Sequence, residues 1–213
     1  MISLLPSKLV GFEKNIGNAA FTLLDVGAGN HSATKIKKHF PQCRYFGIDI
    51  VKDYNNSEED FNLMEGFWEK DLTKLDFDDI PDHFFDAILM THIIEHLQNG
   101  DKVINALLPK LKKGGYIYIE YPSGNSVNFP SKKGTLNFYD DPTHVRIYNT
   151  KELADLLEAQ GMKVLQSGVR RDWRNILMMP VKIIHNKIKY GYVMGSVYWD
   201  WFGFAEFVYA EKK

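Results

Sequence analysis

The feature that most constrains the fold is a repeated alternation of short apolar segments with helical ones. The segment from Phe21 to Val26 is apolar, rich in strand-forming residues and followed by glycines, which predicts a buried strand. A turn from Gly27 to Ser32 comes next, then a helix from Ser32 to Phe40, then a strand from Arg44 to Ile50. This β-α-β unit predicts a parallel sheet, because two parallel strands must be joined by a crossover connection.

The alternation continues to the end of the chain and predicts five more strands and two more helices. The strands are predicted over Phe67–Asp71, Phe85–Met90, Tyr116–Tyr121, Met162–Val169 and Phe204–Ala210. The helices are predicted over Gly100–Leu111, with a cationic end and a glycine cap at 112–115, and over Thr150–Gln160, with Thr150 as the N-cap. Strands that alternate with helices indicate a doubly wound α/β sheet.

The length of the chain and two long inserts complete the predicted organisation. A chain of 213 residues is close to the usual size of one domain, so we predict a single domain over residues 1–213. Two segments interrupt the alternation, at about 122–149 and 170–203. Long loops on a compact sheet are typically lids or binding loops, so we expect ligand specificity to reside in these inserts.

Composition limits the partners and the compartment that the chain is suited to. The formal net charge of −1 gives no reason to expect nucleic acid as a partner. Cys43 is the only cysteine, which excludes an internal disulfide and favours a reducing compartment. The start from Met1 to Pro6 lacks the basic residues and the long apolar core of a signal peptide. No stretch approaches the roughly 18–20 apolar residues of a membrane span, so we expect a cytoplasmic protein.

The turn after the first strand, Asp25-Val-Gly-Ala-Gly29, is the first candidate ligand site. Its glycines allow a sharp turn and let a ligand approach the main chain closely. The pattern fits several kinds of nucleotide site, including a nicotinamide site, because the small residue Ser32 stands where G-x-G-x-x-G has its last glycine. Asp49 ends the second strand about 20 residues later, where a carboxylate can accept hydrogen bonds from both hydroxyls of a ribose.

Asp71 and Leu72 follow the third predicted strand. A carboxylate at this place can accept a hydrogen bond from the amino group of an adenine. The residues alone also allow a structural alternative, in which Asp71 is a helix N-cap.

The ordered set of these segments resembles the class I S-adenosylmethionine-dependent methyltransferases. The segments that carry the resemblance, between about Phe21 and Lys213, are LLDVGAGN, YFGIDI, EKDL, FDAILMTHIIEHL, LKKGGYIYIEYPS and FAEFVYAEK. No single motif is specific, but their order and spacing match the family, with the two inserts as the less typical regions. The resemblance implies a seven-stranded, mostly parallel sheet with an antiparallel last strand, and S-adenosylmethionine as the cofactor.

The resemblance also assigns residues to the parts of the cofactor. In chain order they would contact its methionine part, its ribose, its adenine and finally its sulfonium end. They are Asp25, Gly27, Ala28, Gly29 and Asn30 for the methionine part, Asp49 and Ile50 for the ribose, Asp71 and Leu72 for the adenine, and Thr91 and His92 for the sulfonium.

The segment from His92 to His96 has the H-x-x-E-H order of a zinc peptidase. That chemistry needs both histidines on one helix face and a third carboxylate from another helix. Here the segment directly follows a buried strand at the expected position of the cofactor site, so we predict no metal. His92 is expected to line the cofactor pocket, and His96 to pack or cap in the first turn.

The first insert contains the segment Tyr139-Asp-Asp-Pro-Thr-His-Val-Arg-Ile-Tyr148. Its P-T-H-V-R part resembles a segment near the mouth of the substrate pocket in methyltransferases similar to this chain. His144 is the predicted general base, because an imidazole titrates near neutral pH. Arg146 is predicted to bind a carboxylate or phosphate of the substrate. The alternative is that both side chains tie the loop to the sheet by hydrogen bonds.

The predicted function is methyl transfer from S-adenosylmethionine to a small-molecule or saccharide acceptor, lipid-linked saccharides included. Two other functions stay open, namely a nicotinamide-dependent oxidoreductase and a non-catalytic cofactor-binding protein of the same fold. The basic and aromatic stretch 181–198 could touch a membrane surface. A homodimer contact or a lid is the preferred interpretation of that stretch.

Overall fold

A computed structural model describes residues 5–17 and 19–213 of the chain. Most of the segment Met1 to Pro6, which we expected not to be a signal peptide, lies outside the described residues. Within the described residues the strands are β1 (Thr22–Val26), β2 (Arg44–Asp49), β3 (Met64–Glu69), β4 (Phe85–Thr91), β5 (Leu111–Pro122), β6 (Met162–Val169) and β7 (Ala205–Lys212). The α-helices there are α1 (Ser7–Ile16), α2 (Ser32–His39), α3 (Glu58–Leu63), α4 (Gly100–Leu107), α5 (Thr150–Ala159), α6 (Trp173–Leu177), α7 (Met179–Tyr190) and α8 (Trp199–Phe202).

The strands pair in the order β3-β2-β1-β4-β5-β7-β6. β1 runs parallel to β2 and β4, β2 runs parallel to β3, and β4 runs parallel to β5. Only the pairs that β7 makes with β5 and β6 are antiparallel among the described strands. The predicted seven-stranded, mostly parallel α/β sheet with an antiparallel last strand is therefore confirmed.

Two apolar cores lie on the two faces of this sheet. On one face, Val103 of α4 and Leu157 of α5 share a core with Ile88 of β4. On the other face, Phe12 of α1 shares a core with Leu89, the next residue of β4. Neighbouring strand residues point to opposite faces, and both faces are covered by helices. The inner strands therefore appear in the sequence as continuous apolar runs.

The junction between α4 and β5 differs from its prediction. The helix that was predicted to continue to Leu111 ends at Leu107, and a 3-10 turn over Leu108–Lys110 follows it. The segment 112–115 is the irregular start of β5 and not a helix cap, since the pairing register with β4 shifts there. Within it, Lys112 Nζ donates to Asp86 Oδ1 at 2.7 Å, which anchors the irregular segment to β4.

The N-cap of α5 also differs from its prediction by one residue. The cap is Asn149, whose Oδ1 accepts a hydrogen bond from the backbone N of Glu152 at 2.9 Å. Thr150 is the first helical residue, and its hydroxyl donates to Glu206 of β7 at 2.8 Å. A side-chain amide at the cap position satisfies a free backbone N–H of the first turn, which is the role that the threonine was expected to have.

Five of the α-helices in the described residues lie outside the predicted elements. α1 precedes the first predicted strand and α3 lies between β2 and β3, whereas α6, α7 and α8 all lie in the second insert. In the part of the chain that the structure describes, none of the helices is both long enough and apolar enough to pass through a bilayer.

Candidate functional site

The carboxyl ends of β1, β2, β4 and β5 meet at one edge of the sheet, because these strands are parallel. The first insert leaves this edge after β5. The second insert leaves it after β6, which is antiparallel to β7 and therefore parallel to β5. In open α/β sheets, ligands bind in the crevice outside these strand ends. Every site residue that we predicted lies at or shortly after one of these ends, after β3, which is parallel to β2, or in the first insert.

The glycine turn after β1 has a backbone that larger residues could not adopt. Gly27 has a φ of +82°, and a Cβ at this position would lie 2.1 Å from Cδ1 of Ile93. At Gly29 a Cβ would lie 2.8 Å from the carbonyl oxygen of Tyr54. Asn30 follows with a φ of 55°, in the left-handed region. Ile93 and Tyr54 fill the space that side chains would need at these two positions, so the sharp turn requires glycine there.

Asp25 lies beneath this turn. Its Oδ2 accepts hydrogen bonds from Tyr45 OH at 2.6 Å and from the hydroxyl of Ser32. Burial raises the pKa of its carboxyl group, although these two hydrogen bonds and Lys8 act in the opposite direction. The carboxylate therefore links β1 to β2 and to the first residue of α2, and so holds the shape of the turn.

Asp49 lies at the end of β2, half-buried and facing the same edge. Its Oδ1 accepts hydrogen bonds from the backbone N of Ile50 at 2.7 Å and of Val51 at 3.4 Å. Its Oδ2 has no hydrogen-bond donor among the described residues, and burial raises the pKa of the group. The next side chain, Ile50, is 62% exposed. The assignment of Asp49 and Ile50 to the ribose remains a prediction, and a free carboxylate oxygen beside an exposed apolar side chain is compatible with it.

Asp71 has the geometry of the structural alternative that the sequence left open. It caps the 3-10 turn Leu72–Lys74, with Oδ1 accepting from the backbone N of Thr73 at 2.9 Å and from its hydroxyl at 2.6 Å. These hydrogen bonds lower the pKa of Asp71. Leu72 is buried in the core under the sheet edge. The assignment of both residues to the adenine remains a prediction.

Thr91 ends β4 and His92 follows it, surrounded by acidic groups. Its φ of 54° turns the chain sharply, and its backbone N donates to Glu120 O at 2.8 Å. Its Nδ1 is 3.3 Å from Glu95 Oε1, and its Nε2 is 3.2 Å from Glu120 Oε1. The ring lies against Trp199 of the second insert, with centroids 5.1 Å apart.

The charged network continues from Glu120 into the second insert. Arg170 Nε is 3.3 Å from Glu120 Oε1, and Arg170 Nη1 is 3.2 Å from Asp200 Oδ1. Asp200 Oδ2 also accepts a hydrogen bond from Asn175 Nδ2 of α6 at 2.9 Å. The result is a chain of alternating charges, from Glu95 through His92, Glu120 and Arg170 to Asp200, across the ends of three strands. We refer to it as the charged network.

The pKa values of the central pair move in opposite directions. Burial disfavours the charged form of His92, but its contacts with Glu120 and Glu95 outweigh this effect and raise its pKa to about 9. Burial also opposes the ionisation of Glu120, but His92 and Arg170 outweigh it and lower the pKa of the carboxyl group. At neutral pH His92 is therefore a cation that can donate a hydrogen bond, and it is not a free base.

A cavity of about 310 Å³ opens on this network. Two of its lining groups, His92 Nε2 and Arg170 Nε, both lie at ion-pair distance from Glu120 Oε1, at 3.2 and 3.3 Å. The lining is therefore polar and charged, which suits a polar ligand. The lining residues are Pro6, Ser7, Lys8, Thr91, His92, Glu120, Arg170, Asn175, Ser196, Trp199 and Asp200.

Sequence reasoning missed most of this cavity. Glu120 is an acidic residue within the apolar sequence of a predicted strand, and this exception could have marked it as a candidate site residue. Arg170 and Asp200 are 30 positions apart in the second insert, and no local pattern links them to β4. Only the long-range packing of α6 and α8 brings them together.

The two predicted catalytic residues of the first insert lie outside the lining of this cavity. His144 has a 5% exposed side chain, and its Nδ1 donates to Phe138 O at 2.7 Å. Arg146 Nη1 is 2.8 Å from Asp101 Oδ2, and its Nη2 is 2.6 Å from Glu152 Oε1. Both side chains make the loop-bracing contacts of the alternative interpretation, and their catalytic role stays a prediction.

A family model and two curated relatives match this chain. A family model described as a methyltransferase domain matches residues 5–167. An uncharacterized protein of Methanocaldococcus jannaschii is 26% identical over 144 residues, which cover 65% of this chain and 39% of that protein. A protein of Mycolicibacterium smegmatis, named as an S-adenosylmethionine-dependent methyltransferase, is 31% identical over 86 residues, which cover 40% of this chain and 31% of that protein. The matches thus span between 31% and 39% of the length of these curated relatives.

Solved structures show the same fold at low identity. A S-adenosylmethionine-dependent methyltransferase from Archaeoglobus fulgidus is 18% identical, with a TM-score of 0.59 over 97% of this chain and 92% of that one. The 1,6-didemethyltoxoflavin-N1-methyltransferase of Burkholderia thailandensis, solved with its substrate and S-adenosylhomocysteine, is 15% identical. Its TM-score is 0.61 over 97% of this chain and 76% of that one.

Proposed function

We propose that this chain, which belongs to the class I S-adenosylmethionine-dependent methyltransferases, transfers a methyl group to a small polar acceptor held in the cavity beside Thr91 and His92. The family match and the fold establish the class of enzyme and its cofactor. The observation that carries the proposal is a cavity lined by the cationic side chains of His92 and Arg170, at the edge where β1 and β2 also end.

The residues at the glycine turn fit the cofactor. Bound S-adenosylmethionine supplies a methyl carbon that its sulfonium has already activated, so the protein mainly has to position it. The sharply turned backbone from Gly27 to Asn30 would hold the methionine part, and the free Oδ2 of Asp49 would accept from the ribose hydroxyls. Thr91 and His92 would lie at the sulfonium end, which places the reacting carbon at the cavity.

The cavity limits the size and chemistry of the acceptor. A volume of about 310 Å³ is near the lower end of ligand pockets, which suits a small molecule or one saccharide unit. The donors of His92 and Arg170 favour an acceptor with oxygen atoms that accept hydrogen bonds. Because His92 is a cation at neutral pH, its imidazolium stabilises negative charge on such an oxygen and does not remove its proton. A base such as His144 remains a separate prediction.

Calorimetry tests the cofactor site. We expect S-adenosylhomocysteine to bind and NAD to show no comparable binding. Replacing Asp49 with Ala should weaken binding by roughly 10–100-fold, since hydrogen bonds to a charged group contribute about 1.5–3 kcal/mol. Asp53→Ala, an exposed acid in the following loop, is the matched control and should bind normally. Tighter binding of NAD would support the oxidoreductase instead.

Turnover separates an enzyme from a cofactor-binding protein without activity. Incubation of the protein with labelled S-adenosylmethionine and a panel of small alcohols, amines, carboxylates and saccharides should transfer label to an oxygen-bearing member. If the protein binds the cofactor but transfers label to no class of compound, and Arg170→Met does not impair cofactor binding, the non-catalytic alternative is favoured instead.

A further inference from the structure

Three side chains form a second polar cluster next to the cavity-lining His92. Glu95, His96 and His144 each have a possible ligand atom within 4.8 Å of those of the other two. Glu95 Oε1 is 3.3 Å from His92 Nδ1 and 4.0 Å from His144 Nε2. Glu95 is 1% exposed, and its Oε2 is buried without a hydrogen-bond partner. An unpartnered, buried carboxylate oxygen indicates that a further group completes its surroundings.

The hydrogen bonds around the two histidines leave one lone pair on each ring. His144 Nδ1 donates to the carbonyl oxygen of Phe138 at 2.7 Å, so its Nε2 carries the lone pair of the neutral ring. The hydroxyl of Thr143 donates to Asp141 Oδ1 at 2.5 Å and must therefore accept from His96 Nδ1, which is 2.9 Å away. A histidine whose Nδ1–H is held by an oxygen keeps the lone pair of its neutral ring on Nε2, which is the arrangement that metal-binding histidines use.

The backbone holds the two parts of this cluster together. The backbone N atoms of Val145 and Arg146 donate to the carbonyl oxygen of Glu95 at 2.8 and 3.2 Å. The loop that carries His144 is thereby fixed to the turn that carries Glu95 and His96. Asp141 Oδ2, 3.9 Å from His144 Nε2, lies at the rim of the cluster.

We propose that Glu95, His96 and His144 bind one divalent transition-metal cation, with Asp141 at the rim of the site. Two imidazole nitrogens and one carboxylate oxygen suit such an ion. Bonds of about 2.0–2.2 Å place two donors of one ion no more than about 4.2 Å apart. The 4.0 Å between His144 Nε2 and Glu95 Oε1 is already within this limit.

This site differs from the zinc-peptidase pattern that the sequence offered. That pattern needs His92 and His96 on one helix, whereas His92 contacts Glu120 and the third ligand comes from the first insert. Three protein ligands also leave coordination positions open. An acceptor oxygen bound there would lie next to the His92 end of the cavity, a role that rests on the proposed function, whereas metal binding itself does not.

Equilibrium dialysis tests the site on the full chain after treatment with a chelator and removal of any affinity tag. Zn²⁺ and Co²⁺ are the probes, and we expect one ion per chain, with the absorption bands of protein-bound Co²⁺. Glu95→Gln and His144→Gln should each lower the affinity by about 10–100-fold or more, since even changes around metal ligands have effects of that size. His185→Gln, which alters an exposed histidine of α7, is the control and should bind normally.

Two results would overturn the proposal. One is the absence of stoichiometric binding by the folded wild-type protein. The other is unchanged affinity in both Glu95→Gln and His144→Gln, with circular dichroism confirming that they are folded. Binding of S-adenosylhomocysteine in the presence of chelator is measured in parallel. Cofactor binding without metal binding rejects only the metal site, whereas metal binding without cofactor binding rejects only the proposed function.

An independent observation concerns the outward face of the second insert. Trp173, Leu177, Val181, Ile184 and Ile188 follow one another at spacings of three or four residues along α6 and α7, and they are 56–81% exposed. Helical hydrogen bonds continue across the junction of the two helices, from Met178 N to Arg174 O and from Lys182 N to Met178 O. Such spacing places the five side chains on one stripe. We refer to it as the apolar stripe.

The charged side chains between Trp173 and Ile188 are all cations, and the first of them, Arg174, is paired with Asp172 at the start of α6. Residues 173–199 contain no Asp or Glu, whereas the cations of the segment are Arg174, Lys182, Lys187 and Lys189. We infer that the apolar stripe docks on an anionic lipid surface, with its side chains in the interface and the lysines at the headgroups. Twofold pairing of this face with a second copy would bring two cationic segments together without an acid in either.

Vesicle sedimentation tests this docking. The protein should bind vesicles that contain phosphatidylglycerol, with weaker binding at high salt, and should bind pure phosphatidylcholine poorly. Lys187→Gln should weaken the binding about 5-fold, since each basic residue near such a surface contributes about 1 kcal/mol. The double variant Ile184→Ser and Ile188→Ser should lose about tenfold or more, because two large apolar side chains no longer enter the interface.

Leu165→Ser, which alters an exposed apolar side chain of β6, is the control and should bind normally. Equal binding to both kinds of vesicle, or to neither, would overturn the inference. So would a dimer in analytical ultracentrifugation that the double variant abolishes, because a second copy would then be the partner of the stripe. Asn175 of α6 lines the cavity, so docking would hold the proposed acceptor site close to the lipid.

Discussion

The two halves of the ligand-binding edge are built in different ways. In the half formed by β1 to β3, the candidate residues lie between Asp25 and Leu72, and each lies at or soon after the end of a strand. In the half formed by β4 to β6, the charged network joins residues as far apart as His92 and Asp200. The first half depends on backbone shape, and the second depends on buried charges that partner one another. Substitutions should therefore act through different physical terms in the two halves.

The largest effect is expected in the charged network, at Arg170. Arg170→Met would leave Glu120 and Asp200 buried without their cation, and breaking a buried ion pair in this way costs about 3–5 kcal/mol. Urea unfolding should show a loss of this size in the free energy of unfolding. The matched control is Arg44→Met, because Arg44 pairs with Glu65 at the surface, and it should cost less than about 1 kcal/mol. Equal losses in the free energy of unfolding for the two variants would mean that the buried ion pairs of Arg170 contribute no more than an exposed pair, so that burial does not distinguish the two halves.

The next effect is expected at the glycine turn. Gly27→Ala would place a Cβ 2.1 Å from Ile93, in a backbone with a φ of +82°. Overpacking typically costs about 1–3 kcal/mol, and the left-handed backbone adds roughly 1–2 kcal/mol. Gly161→Ala is the control, because Gly161 has a φ of +78° and no atom within 4 Å of an added Cβ. Thermal unfolding should show the larger loss for Gly27→Ala, and a loss no larger than that of Gly161→Ala would contradict the clash.

The comparison also explains what the sequence could and could not predict. The strands, the glycine turn and Asp49 could be predicted because apolar runs, glycines and a strand-end acid are local signals within a few residues. The charged network could not be predicted, because Arg170 and Asp200 meet Glu120 only after the second insert has folded over the sheet edge. The same limit applied to Asp71, where a helix cap and a ligand contact have the same local sequence.

The third prediction concerns the pH dependence of the charged network. The pKa of His92 is raised in the folded protein to about 9, so its pairing stabilises the fold fully below about pH 6.5, the ordinary pKa of a histidine. That contribution is lost as the pH rises through 9. The lowered pKa of Glu120 affects stability at acidic pH. Its contribution is lost as the pH falls from the ordinary pKa of a glutamate toward the lowered pKa of Glu120.

The measurement compares wild type with His92→Gln across this range. The difference in free energy of unfolding should be on the order of 1–3 kcal/mol at pH 6 and should decrease by pH 9.5. His185→Gln, which alters an exposed histidine, should show a difference near zero at both values. A difference for His92→Gln that stays constant with pH would show that His92 acts through packing against Trp199 and not through its charge.

The smallest effect is expected at Arg146, which sharpens the comparison because it is the same residue type as Arg170 in a more exposed setting. Arg146 Nη2 is 2.6 Å from Glu152 Oε1, yet the side chains of the two residues are 27% and 38% exposed. Pairs of this kind typically contribute about 0.2–1 kcal/mol, because water screens them and two long side chains must be ordered.

A double-mutant cycle with Arg146→Gln and Glu152→Gln measures this coupling directly, and the cycle with Lys151 and Asp155, an exposed pair on α5, is its control. If Arg146 only braces the first insert, the coupling should be within that range and should fall with added salt. A coupling above about 2 kcal/mol that salt does not change would place Arg146 with Arg170, as a desolvated side chain of the acceptor half, and would revive its predicted contact with the substrate.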